Sequence, residues 1–282
     1  MGMNMATTLQ ILDKRLEEDQ DGSHRPHLGA SSIGQNCTRK TWYSFRWALR
    51  PNFNADTLRR FRDGHESEEL IARELSEVVE LSGRQVRFQS GHFGGSVDGL
   101  ILSGLVEAPD TPHIWEHKCT GKDKWDALQR MMERHTTALG HHNEVLLKWN
   151  RQYYEQAQTY MYKIGFEWHY MTVASAGSRD LLAFRTKLDP IFAREISDKA
   201  ERIIESRSAP AKVSEFVDAF DCRFCDFSGV CHGNVSPDVS CRTCRYSSAL
   251  ADGRWCCDLT HHHLSDDEQK AACSDYCRFL DD

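Results

Sequence analysis

The 282-residue chain contains no run approaching the roughly 18 apolar residues that a membrane-spanning helix needs, which excludes a helical span. Its start, MGMNMATTLQ, lacks a basic stretch followed by an apolar core, so no secretory signal is expected. Ala6 stands where a myristoylation signal needs Ser or Thr. Positive charge is in short supply: 35 Lys and Arg face 42 Asp and Glu, giving a net charge of −7. A surface coated in basic residues is thereby excluded, but a local basic groove for nucleic acid is not. There are no internal repeats and no low-complexity tract. With 40% hydrophobic and 27% charged residues, this is an ordinary globular composition, long enough for one large domain or one domain plus a small appendage.

Cysteine is abundant. Eleven are present, and nine lie between Cys222 and Cys277. Without a secretory signal, disulfides are not expected to persist. The spacings Cys222-x-x-Cys225 and Cys241-x-x-Cys244 suit metal better than a disulfide framework, which would require an oxidising compartment. Composition therefore predicts a cytoplasmic metalloprotein with a Cys-rich C-terminal end.

Along the chain, residues 1–27 read as a polar N-terminal segment, a helix around Leu9–Leu16 followed by a loose linker. From Leu28 a Ser-rich cap leads into aromatic residues at helical spacing. A helix follows over about Thr57–Val79, with Leu58, Phe61, Ala72, Leu75 and Val79 on its buried side. The period then becomes alternating, predicting strands at Gln85–Ser90, Ser96–Ser103 and His113–Cys119. Helices are predicted at Lys124–Arg134, Trp149–Ile164 and Pro190–Ser206, with strands at Trp168–Ala174 and Leu181–Lys187. This order makes an α/β domain with a central mixed sheet flanked by helices. After Ala209-Pro210 the chain is poor in apolar residues, and metal is the expected staple.

The densest chemical signal is GGSVDGLI followed by IWEHK. Strand side chains alternate, so Glu116 and Lys118 share a face while His117 points away. If the strand holding Asp98 is a neighbour, two carboxylates converge beside a lysine. Such oxygen ligands suit Mg²⁺ or Mn²⁺, which activates water, while the lysine orients it and stabilises developing negative charge. Taken alone, a solvated strand face explains such a trio equally well.

Together with their surroundings, these residues resemble the P-D-(D/E)-x-K nuclease superfamily, specifically its RecB-like exonuclease branch, which includes CRISPR-associated RecB-like and phage recombination exonucleases. The resemblance covers about residues 28–232 and implies a restriction-endonuclease-like core. It implies Asp98 and Glu116 as metal ligands, the backbone carbonyl of His117 as a further ligand, and Lys118 as the catalytic lysine. Val97 stands where the superfamily name has proline. Gly64-His65-Glu66-Ser67-Glu68 resembles the branch's helical Gly-His-x-x-Glu element, with His65 as an additional metal ligand. Gln156-x-x-x-Tyr160 resembles its Gln-x-x-x-Tyr motif, and Gln158-x-x-x-Tyr162 is the rival register. The i, i+4 spacing places either pair on one helical face.

Cys222-x-x-Cys225-x5-Cys231 is one thiolate short of four, and Cys37 is the candidate fourth. One early cysteine combined with this late triplet resembles the iron–sulfur members of the branch, which implies a [4Fe–4S] cluster. Zinc is the chemical alternative for the same ligands. Ligation of Cys37 with Cys222 would tie the beginning of the nuclease domain to its end. Residues 233–282 then form a small Cys-rich appendage expected to bind zinc through Cys241, Cys244, Cys257 and Cys273. Cys256, Cys277 and the run His261-His262-His263 are rival ligands.

Arg39 and Lys40 are the leading phosphate contacts, with Trp42, Tyr43 and Trp47 available to stack on bases. The function expected is a Mg/Mn-dependent DNA exonuclease of phage or bacterial recombination and repair, in the bacterial host cytoplasm if phage-encoded. Its partners would be a DNA end and a single-strand annealing or recombination protein. The competing readings are a catalytically idle DNA-end or protein-binding module with the same fold, and an RNA-directed metalloprotein.

Overall fold

The computed structural model describes residues 6–135, 140–177 and 179–279. Residues 1–5, half of the MGMNMATTLQ start, lie outside the described residues. Helix α1 (Thr8–Glu18) buries none of its residues, and Leu9 and Leu12 are exposed. Strand β1 (Leu28–Gly29) leads to α2 (Thr38–Phe45), whose N-cap is Cys37, and α3 (Ala55–Ser76) is capped by the Asn54 side chain. Phe61, expected on the buried side of α3, is instead 47% exposed and meets Phe53 edge-on.

Strands β2 (Leu81–Ser82), β3 (Val86–Ser90), β4 (Phe93–Val97), β5 (Gly99–Ile101) and β6 (His113–Thr120) follow. The single strand expected at Ser96–Ser103 is thus two strands that enter different sheets, and Asp98 lies at the break rather than within a strand. Gly94, Gly95 and Gly99 make this stretch easy to bend. Gly95 also lets Tyr160 approach, since a Cβ there would stand 2.6 Å from its ring.

From β6 the chain crosses over α4 (Lys122–Arg134), α5 (Asn143–Trp149) and α6 (Arg151–Ile164) to β7 (Trp168–Ser175). Helix α6 starts two residues later than expected because Asn150 caps it and Trp149 ends α5, which the sequence pattern did not separate. Gly165, at φ 89°, closes α6 in the left-handed conformation. Strand β8 (Leu181–Lys187) precedes α7 (Pro190–Glu205), where Asp189 accepts from the Ile191 and Phe192 N–H groups and Pro190 opens the first turn.

The central sheet runs β2-β5-β6-β7-β8, with β6 and β7 parallel and the other pairs antiparallel. Both central strands are buried over most of their length, as a parallel pair covered on both faces requires. A second sheet, β1-β4-β3, sits beside it. The Cys-rich end contributes short helices α8 (Phe220–Arg223) and α9 (Ser228–Cys231), an antiparallel sheet of β9 (Ser247–Ala249), β10 (Trp255–Cys257) and β11 (His262–Leu264), and α10 (Asp266–Lys270).

This end does not stand apart. Trp255, Leu264 and Phe279 belong to the same hydrophobic core as Leu28, Trp42 and Phe45. Buried Arg242 lies 4.0 Å from the Trp47 ring centre and 4.1 Å from that of Trp255. It also donates to the Phe45 and Pro26 carbonyls. Arg46 answers from α2, donating to the carbonyls of Ser247 and Cys244. No helix among the described residues is long and apolar enough to cross a membrane.

Burial holds three histidines of the parallel pair neutral. It lowers His113 and His117 to about 4 and His169 to about 3. An unfolded histidine takes up its proton near pH 6.5. Between that pH and about 4 the unfolded chain binds protons that the folded chain refuses, so stability falls as pH drops through this window. Fully developed, such shifts are worth about 3–5 kcal/mol each. Glu116, pushed up to about 8, acts in the opposite direction over this window, but three histidines outweigh one carboxyl, so the urea unfolding midpoint should still fall between pH 7 and 4.5. A flat profile would contradict these protonation states.

Candidate active site and cysteine sites

Alternation along β6 puts Glu116 and Lys118 on one face, with Lys118 Nζ 2.7 Å from Glu116 Oε2. Helix α6 adds Gln156, whose Nε2 donates to Glu116 Oε2 at 3.3 Å and to the Tyr160 hydroxyl at 3.1 Å. Asp98 enters from the β4–β5 break, its Oδ2 accepting the His117 main-chain N–H at 2.7 Å. Thus Asp98, Glu116, Lys118, Gln156 and Tyr160 gather at one place. The rival register does not reach it: Gln158 bonds the Lys187 carbonyl and the Asp189 N–H, and Tyr162 is 40% exposed.

From α3, Glu68 faces the same carboxylates, held by Arg84 and Gln85. His65, one turn earlier, is exposed; the α3 charge felt by Asp98 and Glu116 is that of Glu68. Burial first, then the charge of Asp98, raises the Glu68 carboxyl. Glu116 is pushed up to about 8 by burial, opposed by Lys118 and reinforced by Asp98 and Glu68. Burial alone would lower Lys118, but Glu116 and Asp98 outweigh it and hold the ammonium above its ordinary value. Glu116 Oε1 is buried without a hydrogen-bond partner.

Among the described residues, no three His, Cys, Asp or Glu side chains already converge in an ion-holding arrangement. The donor chemistry nonetheless fits a hard cation. Crowded carboxylates with one orphaned, dehydrated oxygen are stabilised by positive charge. An open groove of about 1060 Å³ runs beside the site, where Arg60, Lys122 and Lys124 alternate with Asp63, Glu66 and Asp123 around Ser67 and Tyr153. The ring centre of Tyr153 is 5.5 Å from Lys118 Nζ. Sequence reasoning missed this tyrosine. Its position three residues before Gln156, on the same helical face, was the available signal.

Cys37, Cys222, Cys225 and Cys231 line one small cavity with Lys40, Tyr43 and Lys212. Burial raises the thiols of Cys222, Cys225 and Cys231, and nearby Cys37 adds to each. The structure thus brings together the four cysteines expected to share a ligand. Cys241 is pushed up to about 11 by burial, with Cys244, Cys273 and Cys257 adding to the shift. Of the rival ligands, His262 is engaged by Thr260 and Glu268.

The DNA-contact expectation needs correction. Arg39 is 1% exposed, donating to the Tyr43 hydroxyl at 3.1 Å and the Pro210 carbonyl at 2.8 Å. Its guanidinium lines the cysteine cavity from within, held by internal acceptors and almost wholly out of solvent. Trp42, Tyr43 and Trp47 are buried and cannot stack on bases. Lys40 remains partly exposed, 3.7 Å from Asp226.

No protein-family model matches the chain, and the comparison with curated proteins finds no match. Among solved structures, the alkaline exonuclease LHK-Exo of Laribacter hongkongensis aligns with a TM-score of 0.43 and 16% identity, over 67% of this chain and 90% of that one. The same protein in complex with dAMP aligns with a TM-score of 0.41 and 16% identity, over 63% and 86%. A phage-related exonuclease of Haemophilus somnus 129PT aligns with a TM-score of 0.41 and 14% identity, over 64% and 92%.

Proposed function

We propose that this chain is a metal-dependent exonuclease of the RecB-like P-D-(D/E)-x-K type, hydrolysing phosphodiester bonds from a DNA end. The observation that carries this reading is the buried Glu116 carboxylate, with Lys118 and Gln156 on one oxygen, its other oxygen orphaned, and Asp98 and Glu68 close by. Asp98 and Glu116 would hold Mg²⁺ or Mn²⁺, with the His117 carbonyl and His65 as further candidate ligands. The bound ion supplies Lewis-acid activation of water and of the phosphodiester. Lys118 orients the attacking water and stabilises negative charge on the phosphorus centre. Gln156, fixed by Tyr160, holds the Glu116 carboxylate in place. The groove beside Lys118 offers Arg60, Lys122 and Lys124 to phosphates and Tyr153 to a base.

In this reading the cavity of Cys37, Cys222, Cys225 and Cys231 holds a [4Fe–4S] cluster, and Cys241, Cys244, Cys257 and Cys273 hold zinc. The setting is recombination or repair in a bacterial cytoplasm, with a phage origin and an annealing partner protein as its natural context. Protein purified without air should be brown and carry about four irons per chain, lost in Cys222→Ser. A colourless protein with zinc alone at this site removes the iron–sulfur assignment. The deciding experiment is digestion of end-labelled DNA and RNA with Mg²⁺ or Mn²⁺, beside a binding assay. Progressive DNA shortening from an end supports the proposal. Binding without cleavage favours the idle-module reading, and preference for RNA redirects the substrate.

A further inference from the structure

Between Glu116 and Lys118 the β6 pattern places a polar side chain where a buried strand ordinarily carries an apolar one. His117 points to the face opposite the carboxylate site, yet it is anchored from both sides. Its Nε2 is 2.8 Å from Ser67 Oγ on α3, and its Nδ1 is 2.9 Å from Thr172 Oγ1 on β7. The Trp115 Nε1–H donates to the same Thr172 hydroxyl at 3.0 Å. All four residues are buried. A single proton arrangement serves the chain in order. Trp115 donates to Thr172, the Thr172 hydroxyl donates to Nδ1, and the Nε2–H donates to Ser67, so both functions of a neutral imidazole are used.

These bonds fix more than a side chain. The main-chain N–H of His117 is the group that donates to Asp98 Oδ2 at 2.7 Å. Asp98 lies at the break between β4 and β5, outside either strand. Its carboxylate is thus oriented by the peptide of the very residue whose imidazole is anchored on both sides behind it. The anchor on α3 is Ser67, the residue adjoining Glu68, so the same bond sets the helix that carries the third carboxylate against β6. An aliphatic side chain could fill the space but could not bond Ser67 of α3 and Thr172 of β7 from β6.

We infer that the His117 imidazole, through Ser67 and Thr172, is the positioning residue that aligns Asp98 and Glu68 with Glu116 for cation binding. This rests on the metal-dependent reading above.

The test is Mn²⁺ binding by titration calorimetry to the full chain without DNA, for the unaltered protein, Ser67→Ala and His117→Leu. The leucine keeps the apolar bulk and removes both hydrogen bonds. Mn²⁺ affinity is expected to fall 10- to 100-fold in His117→Leu, and in the same direction in Ser67→Ala, as for other groups that orient metal ligands. Steady-state digestion should show kcat falling with KM for DNA nearly unchanged, a split that a packing role would not produce. Affinity within twofold of the unaltered protein in both variants overturns the inference. If His117→Leu does not fold, Ser67→Ala decides alone. If the unaltered protein itself binds no Mn²⁺, the metal-dependent reading fails instead.

Discussion

Glu116→Gln is expected to lower DNA cleavage by at least about a thousandfold while leaving DNA binding in place. The substitution keeps the volume and removes the charge on which the site is built. Glu116 is 2% exposed and its Oε2 receives both Lys118 and Gln156. A neutral amide cannot hold a dication against this burial. Its remaining oxygen can still accept from Lys118, but its NH2 then stands at the orphaned position where a cation would need an acceptor. Metal and electrostatic contributions each supply several kcal/mol to such barriers, and about 4 kcal/mol corresponds to a thousandfold in rate. Lys118→Ala should act as strongly, by removing the ammonium and leaving Glu116 buried without its counter-charge. Binding should persist, because phosphate contacts come mainly from basic groups outside the trio. The measurement is end-labelled digestion beside a filter or gel-shift assay for each variant. Cleavage at the unaltered rate in Glu116→Gln would place the chemistry elsewhere in the chain.

What was legible beforehand follows from the range of each signal. Glu116 and Lys118 are two apart in one strand, and Gln156 and Tyr160 are four apart in one helix, so short-range periodicity alone set their faces. The boundaries of β8 and the Pro190 start of α7 rest on equally local signals. Arg39 does not follow the amphipathic pattern because only Ser44 and part of Lys40 and Thr38 give α2 a solvated edge. Arg39, Thr41, Trp42, Tyr43 and Phe45 are all buried in its eight residues. The covering material comes from far along the chain: Pro210 over Arg39, and Cys244 and Ser247 over Arg46. No window of sequence around residue 40 contains that information. The break at Asp98 was hidden for a related reason, since only the assignment of β4 and β5 to different sheets separates them. The Ser67–His117–Thr172 chain joins residues 50 and 55 positions apart. It shows in the sequence only as a histidine where a buried strand residue should be apolar.

Ending the chain at His232 should prevent cooperative folding, contrary to what an independent appendage would allow. The truncation removes Trp255, Leu264 and Phe279 from the shared core and uncovers Trp42 and Phe45, which are 0% and 2% exposed. Each large apolar side chain returned to water costs about 1.5–3 kcal/mol, so five such groups amount to roughly the 5–15 kcal/mol by which a typical domain is stable. The buried Arg46 guanidinium would lose both carbonyl acceptors, Cys244 and Ser247. A smaller cut should report on the same junction. Arg242→Ala removes the cation held between Trp47 and Trp255 and the hydrogen bonds to Phe45, Pro26 and Gln269. A destabilisation of about 3–5 kcal/mol is expected from lost stacking, lost charged hydrogen bonds and the cavity left behind. Arg242→Lys should recover little, because an ammonium lacks the planar fork that stacks on two indoles while bonding three acceptors. If zinc holds Cys241, Cys244, Cys257 and Cys273, a chelator should move the unfolding transition in the same direction, since the bound ion's free energy is folding free energy. Urea unfolding and protease resistance of the truncated chain measure the effect directly. A truncated protein that unfolds cooperatively and cleaves DNA would show the α2 junction to be dispensable. The link from Arg46 and Arg242 across to the Cys-rich end would then be packing without consequence for the core.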